Sequence, residues 1–292
     1  DGEHDRALLG AALRRDASGV MLPRVLPAGA TAGVTAAHPG IPAGLAIGVG
    51  CGDNAGAALG LGAAEGDVIV SLGTSGVVTA VTRAFAPDAT GTVAGFADAS
   101  GLRLPLVATL NAARVLDAAA RLLGVDHATL GELALAAPAG ADGLVLRPYL
   151  EGERTPNLPT ATATLYGMTN RSLTREGFAR ASIEGMVCGL ADGLDALERL
   201  GVEPRRVLLI GGAAQSPAVQ RVAAAVLGRP IAVPTPGEYV AAGAAVQAAW
   251  ALTGARPSWA VEAATVVEQP RPEVRAAYAA TPADPIGDAA GR

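Results

Sequence analysis

Four short stretches combine residues able to do chemistry with the glycines a ligand needs for close approach. The first is GVGCGDNAGAALGLG, Gly48 to Gly62. Its glycines let a ligand reach the backbone, and Asp53, at the start of a small-residue helix, has two uses: it can cap the helix or act as a general base. Asp is among the preferred N-cap residues, so pattern alone favours the cap. Gly50, Gly52 and Ala55 also give a GxGxxA match to a dinucleotide fingerprint. That fingerprint needs an acid at the end of the following strand, whereas Glu65 and Asp67 precede the strand, so the dinucleotide reading fails on placement.

The second stretch is SLGTSG, Ser71 to Gly76, a turn between two β-branched runs. Gly73 and Gly76 can take positive φ and expose successive N–H groups, with the Thr74 and Ser75 hydroxyls alongside. Such a turn can cradle phosphate oxygens without lysine, or it can be a plain hairpin turn. The third is LLIGGAAQSPAVQRVAAAVLG, Leu208 to Gly228, in which a strand ends at Gly211 and Gly212, and Ser216 and Pro217 are expected to start a helix as N-cap and first residue. Two glycines at a sheet's carboxyl edge let a flat ligand such as adenine lie against the backbone, although an ordinary strand-to-helix connection uses the same letters. The fourth is YLEGERTPN, Tyr149 to Asn157, where Glu151, Glu153 and Arg154 crowd what reads as a solvated loop.

Composition removes other chemistries. All 22 basic residues of the 292-residue chain are arginine. Without lysine there is no P-loop, no protein-kinase strand lysine, no pyridoxal Schiff base and no Ser-Lys dyad. Cys51 and Cys188 form no CxxC pair, and with His4, His38 and His127 they give no zinc-ligand spacing, so reduced thiols in a cytoplasmic protein are expected. A net charge of −5 argues against nucleic acid as a partner. Mean hydropathy is +0.35, but the two uncharged stretches, Val25–Gly52 apart from His38 and Tyr239–Ala255, are Pro- and Gly-broken or short and Ala-rich, so no membrane span is expected.

Elements must hold these stretches in place. Residues 1–43 read as a short helix, Arg6 to Arg15, and a Pro/Gly-rich connector. From Leu45 short β-branched runs alternate with Ala/Leu helices, the signature of an α/β layer architecture. Expected strands are Leu45–Val49, Val68–Ser71, Gly76–Thr82, Val93–Asp98 and Leu104–Ala108, the last four as an antiparallel meander. Helices follow at Asn111–Leu123, closed by Gly124, and at His127–Ala136. Residues 144–159 read as irregular. The longest helix is expected from Arg175 to Leu200, between Thr174 and Gly201, with Phe178, Ser182, Met186, Leu190, Leu194 and Leu197 on one buried stripe and Cys188 near the core. A strand at Arg206–Ile210, a helix at Pro217–Leu227, a strand at Ile231–Val233 and a helix at Tyr239–Leu252 suggest parallel pairing. Beyond Pro257 a tail is expected, frayed at TPADPIGDAAGR.

In this order, GCGDNAGAALGLG, GDVIVSLGTSGVV, PYLEGERTPN and LLIGGAAQSPAVQRVAAAVLGRPIAVPTPGEYVAAGAAVQAA resemble the C-terminal domain of bacterial xylulokinases in the FGGY carbohydrate-kinase family, over roughly Leu45 to Leu252. The GDNA and GERTP pieces look more like xylulokinase than glycerol kinase or gluconokinase. The resemblance implies an α/β fold of the actin-like, ribonuclease H-like ATPase type, with a mixed β-sheet flanked by helices. It divides the chain into a remnant of the sugar-binding domain with its connector (1–43), the nucleotide-binding domain (44–256) and a tail (257–292).

By residue matching it places Asp53 on the catalytic base and Asn54 on the neighbouring sugar contact. Gly73 and Thr74 fall on the second phosphate motif, Gly211, Gly212, Ala213 and Ser216 on the adenosine motif, and Asn111 beside the nucleotide. ATLYGMTNRSLTREGFARASIEG resembles the family's C-terminal signature, including Glu184; it departs at Gly177, usually polar or acidic, and Ser216 stands where related kinases often have Asn. The implied substrates are ATP with Mg2+ and a xylulose-like sugar, and the implied reaction gives D-xylulose 5-phosphate. Another FGGY substrate (glycerol, gluconate, ribulose) and a non-catalytic nucleotide-binding relic or interaction module are the alternatives. No DxGT-type first phosphate motif and no sugar-binding N-terminal domain are found, so the missing domain is itself an expected partner, and weak activity is expected of this portion alone. A homodimer is left open.

Overall fold

The computed structural model describes residues 3–283. In chain order the elements are α1 (Arg6–Leu13), β1 (Thr31–Val34), β2 (Ala46–Gly48), α2 (Asp53–Gly60), β3 (Asp67–Leu72), β4 (Gly76–Ala80), β5 (Ala94–Ala97) and β6 (Arg103–Thr109). They continue with α3 (Ala113–Leu123), α4 (His127–Ala136), β7 (Val145–Arg147), β8 (Thr164–Tyr166), α5 (Arg175–Arg199) and β9 (Arg206–Ile210). The last are α6 (Pro217–Leu227), β10 (Ile231–Pro234), α7 (Tyr239–Thr253), β11 (Ala263–Val266) and α8 (Pro272–Ala280). Two compact units result. Among the described residues no helix is long and apolar enough to cross a membrane.

One unit comprises the described residues up to Gly62, with Asp98–Gly101 and Glu238–Trp259. Its strands β1 and β2 pair antiparallel, and α2 packs along α7. That packing explains Gly60 in GDNAGAALGLG, where a Cβ would overlap the Tyr239 carbonyl, and Gly243 on α7, where one would overlap the carbonyl of Gly56. Gln247, buried on α7, donates from Nε2 to the Ala99 carbonyl at 3.0 Å. α1 ends where Arg14 takes a left-handed conformation, two residues short of the expected span.

The other unit is built on a seven-stranded mixed sheet in the order β11-β10-β9-β3-β4-β6-β5. β9 runs parallel to both β3 and β10, as the strand-helix-strand pattern required. The expected meander is corrected: β4 pairs with β6, and β5 lies outside β6 at the sheet edge. The buried run LPLVAT on β6 competes better for the inner position than AGFA on β5, which is largely exposed.

α5 is the core helix. Thr174 caps it by accepting from the Gly177 amide, and Gly201 follows its end at φ +92°. Burial extends well beyond the expected stripe to Ala179, Ile183, Val187 and Ala191, and Met186 and Cys188 are both core residues. Each fully buried Leu, Ile or Met there contributes about 1.5–3 kcal/mol. Gly177 is required because a Cβ would strike the Ser172 carbonyl. Arg180 and Glu184 form a buried pair at 2.6 Å, and the Gly140 amide also donates to Glu184. Burial pushes the Glu184 carboxyl up, with Arg180 and the Gly140 amide pulling it back.

Two further expectations are corrected. Residues 144–159 contain β7, paired with β8. The expected tail carries β11, which adds an antiparallel edge strand to β10, and α8. The α8 end is fastened by Arg147, whose Nη2 donates to the Tyr278 and Thr281 carbonyls at 2.7 and 2.8 Å and whose guanidinium stacks on the Tyr278 ring. Arginine over an aromatic face with two carbonyl acceptors uses both its planar fork and its charge. Residues 284–292, the rest of the frayed end expected at TPADPIGDAAGR, lie outside the described residues.

Candidate functional site

Asp53 is the first residue of α2, and the N-cap position belongs to Gly52. The cap expected of Asp53 from pattern alone is therefore corrected: Asp53 sits one residue too late to cap α2. Its Oδ1 accepts only from its neighbour, from the Asn54 amide at 2.8 Å and the Asn54 Nδ2 at 3.2 Å, and the side chain is exposed. Gly50 and Gly52 have open space where a Cβ would stand, and neither has positive φ. Neither packing nor backbone strain in this unit demands those two glycines. Between them Cys51 is exposed, its thiol pushed up by partial burial and then by the Asp98 charge. A raised thiol is a poor nucleophile near neutrality.

In the second unit SLGTSG is the β3–β4 connection, as expected, but the physical reason for its glycines differs. Neither Gly73 nor Gly76 has positive φ. Gly76 is needed for space: a Cβ would come within 2.6 Å of both Leu190 Cδ2 and Thr109 Oγ1. The turn is anchored through its carbonyls. Gly73 O accepts from the Ala113 amide at 2.9 Å and Thr74 O from the Ala112 amide at 3.3 Å, which gives the start of α3 the cap its Ala112 cannot supply. In a trans peptide the N–H points opposite to the C=O. Carbonyls turned toward α3 therefore turn the Thr74 and Ser75 N–H groups away from it, and both residues are exposed. Two adjacent outward amides with two hydroxyls suit an anion's oxygens.

Asn111 precedes that capped helix and is 3% exposed. Its Nδ2 donates to the Gly152 carbonyl at 2.8 Å and to Glu153 Oε2 at 2.9 Å. Its Oδ1 is buried without a partner. Glu153 corrects the reading of GERTP as a solvated charge cluster. It too is 3% exposed, and its Oε1 accepts from the Leu110 and Arg154 amides at 2.6 and 2.7 Å. Thr155 donates its hydroxyl to the Ala108 carbonyl at 2.9 Å, and the Thr155–Pro156 bond is cis. Glu151 and Arg154 do lie exposed as expected, Glu151 reaching Arg114 at 3.2 Å with its side chain 80% exposed.

The glycines of the third stretch divide by role. Gly211 sits at φ +98°, with the place of a Cβ only 2.5 Å from the Leu72 carbonyl oxygen. Gly212 has helical φ and open space. Ser216 holds the N-cap position of α6, but its hydroxyl makes no cap bond.

Gly212, Ala213 and Ser216 line a cavity of about 640 Å³ together with α3 and α4 residues including Leu116, Leu130, Leu135 and Gly131. That volume and apolar lining suit a nucleoside-sized ligand. Asp117, His127 and Glu132 also line it, and His127 Nε2 lies 2.8 Å from Asp117 Oδ1. The α3 and α4 lining was not expected from the sequence, where no motif marks it; in the structure Gly131 faces Ser216. Gly211 and Asn111 do not line the cavity, and Ala113, the residue that holds the Gly73 carbonyl, does.

Residues 68–252 match the C-terminal domain of the FGGY family of carbohydrate kinases. The chain is 42% identical over 256 residues to a xylulose kinase of Streptomyces rubiginosus, covering 85% of this chain and 51% of that protein. It is 38% identical over 193 residues to a xylulose kinase of Escherichia coli K12, covering 65% and 40% respectively. The crystal structure of xylulose kinase from Bifidobacterium adolescentis superposes with a TM-score of 0.83 at 45% identity, over 92% of this chain and 55% of that one. The chain thus spans about half the length of the curated relatives it matches.

Proposed function

The chain belongs to the FGGY family of carbohydrate kinases, with that family's actin-like α/β fold, and from that premise we propose that it is the nucleotide-handling portion of a kinase that phosphorylates xylulose. The observation that carries this reading is the cavity shared by Gly212, Ala213 and Ser216 in the unit that also presents the outward amides of Thr74 and Ser75. The nucleoside occupies the cavity. Its lining carries Asp117 and Glu132, which repel phosphates, so the phosphate chain leaves toward the Gly73–Thr74 turn.

Phosphoryl transfer demands positioning and charge stabilisation more than covalent chemistry. Asp53 accepts the proton of the sugar's 5-hydroxyl as that oxygen attacks the γ-phosphorus, and Asn54 orients the sugar. The products are ADP and xylulose 5-phosphate. The amides and hydroxyls of Thr74 and Ser75 stabilise the phosphate oxygens. Mg2+ enters as part of the nucleotide substrate, bound chiefly through phosphates as is usual for this ion in kinases. Among the described residues no three His, Cys, Asp or Glu side chains cluster as a metal cage.

The test pairs calorimetry with a sugar screen. The chain should bind ADP in preference to NAD, and a version extended to the relatives' length should phosphorylate xylulose faster than glycerol, gluconate or ribulose. NAD binding without ADP binding would sink the nucleotide assignment. ADP binding with no turnover of any sugar by the extended protein would leave a nucleotide-binding module, the alternative class.

A further inference from the structure

Glu153 is an unusual acid for its surroundings: nearly fully buried, it is held by the Leu110 and Arg154 amides and by Asn111 Nδ2, with no cation among these partners. Two of those donors, Leu110 and Asn111, lie on the segment whose next residues hold the phosphate turn. Leu110 and Asn111 are fixed by Glu153; the next two residues, Ala112 and Ala113, give their amides to the Thr74 and Gly73 carbonyls. Because each peptide unit is rigid and planar, a displacement at Leu110–Asn111 rotates the donors that orient the turn's carbonyls, and with them the outward Thr74 and Ser75 amides. On the far side, Thr155 ties the GERTP loop to β6 through Ala108, so the carboxylate is held from both directions.

We propose that Glu153 is a positioning residue for phosphate binding: it sets the SLGTSG turn through Leu110–Ala113 without touching the ligand. The inference rests on the nucleotide reading above and adds to it a residue outside the turn and outside the cavity.

The substitution Glu153→Gln is nearly isosteric and specific. The Gln carbonyl can still accept from the Leu110 and Arg154 amides, but its NH2 then faces the Asn111 NH2, donor against donor. The cavity that takes the nucleoside has no Glu153 in its lining. Titrated by calorimetry with ATP and with adenosine, E153Q should lose about tenfold or more in ATP affinity with adenosine affinity unchanged. Glu151→Gln, two residues away on the surface, should change neither. Equal loss for both ligands in a folded E153Q, or no loss of ATP affinity, overturns the proposal.

If E153Q fails to fold, hydrogen exchange on the unaltered chain decides. Saturating ATP should protect the amides of Leu110, Ala112 and Ala113 together with those of residues 73–76, and protection of the turn alone overturns the coupling. If the unaltered chain binds adenosine but not ATP more tightly, the phosphate-turn reading itself fails; if it binds neither, the nucleotide reading fails. Both results are separate from the E153Q comparison.

Discussion

Gly211 and Gly212 are adjacent in sequence and opposite in physics, which makes them the sharpest probe of the nucleotide reading. At Gly211 an alanine meets two penalties. A side chain held at φ +98° costs about 1–3 kcal/mol. Its Cβ would also sit 2.5, 2.7 and 2.9 Å from the O, C and N of Leu72, backbone atoms of the neighbouring central strand that cannot rotate away; overpacking of that kind costs about 1–3 kcal/mol more. The sum is about 2–6 kcal/mol. At about 2–4 °C per kcal/mol for a domain of this size, Gly211→Ala should lower the melting midpoint by upward of about 4 °C.

At Gly212 φ is −60° and ψ −46°, and nothing lies within 4 Å of an added Cβ. Alanine there restricts the unfolded chain and should leave the midpoint unchanged or raise it, by about 0.4–1 kcal/mol. The open space is the cavity, however, so the methyl should cost adenosine about tenfold in affinity. The assay is a thermal melt by circular dichroism beside calorimetric titration with adenosine. If both variants melt alike, the conformational argument is wrong; if G212A melts normally and binds adenosine normally, the cavity is not the nucleoside site.

Further outcomes follow from other residues. Asp53→Ala in the extended enzyme should abolish most turnover with little change in ATP affinity, because a base acts in the transition state; with only Asn54 as partner, it should leave the midpoint within about 0.5 kcal/mol of the parent. A disulfide reagent should titrate Cys51 in the native chain and Cys188 only after denaturation. The Cys51 rate should still be climbing above pH 9, since burial and Asp98 raise that thiol and only the thiolate reacts. Arg147→Ala should cost about 2–4 kcal/mol and make the α8 end the first site of limited proteolysis; cleavage elsewhere first would show that the Arg275 pairs with Asp192 and Asp195 hold α8 without it.

The elements were legible where local signals decide them. Thr174 and Gly201 bracket α5 almost to the residue, and Pro217 opens α6 as its fixed φ requires. Strand order was not legible, because β5 and β6 are both short runs next to glycine turns and only burial on the assembled sheet ranks them. The tail misled through composition: Ala, Pro and charge describe α8 as well as they describe coil, and what fastens α8 is Arg147 and the α5 carboxylates of Asp192 and Asp195 that pair with Arg275, all distant in sequence. Cavity residues on α3 and α4 carry no motif, since apolar lining looks like any core.

Glycine was the least transparent letter of all. Gly73 and Gly76 allowed positive φ; the structure instead uses Gly76 for space under Leu190, while Gly211 is one of the glycines that do take positive φ. Glu153 was unreadable for a related reason. A charged residue in a polar loop is normally solvated, and its burial depends on donors at Leu110 and Asn111 that sequence distance hides.

The absence of lysine and the burial of Glu153 are two expressions of one device. An anion inside a protein needs donors, and a cation is only one way to supply them; oriented backbone amides also stabilise negative charge when the fold fixes them in advance. At Glu153 the fold does this for its own carboxylate, with two backbone amides and one side-chain amide. At Thr74 and Ser75 it turns amides outward by occupying the carbonyls behind them. The second arrangement depends on the first, because the helix start that occupies those carbonyls follows directly from the segment Glu153 holds. A chain whose 22 basic residues are all arginine can therefore present the proposed phosphate turn with donors set by backbone geometry, and the buried acid in GERTP holds the segment beside that turn rather than joining the protein's charged surface.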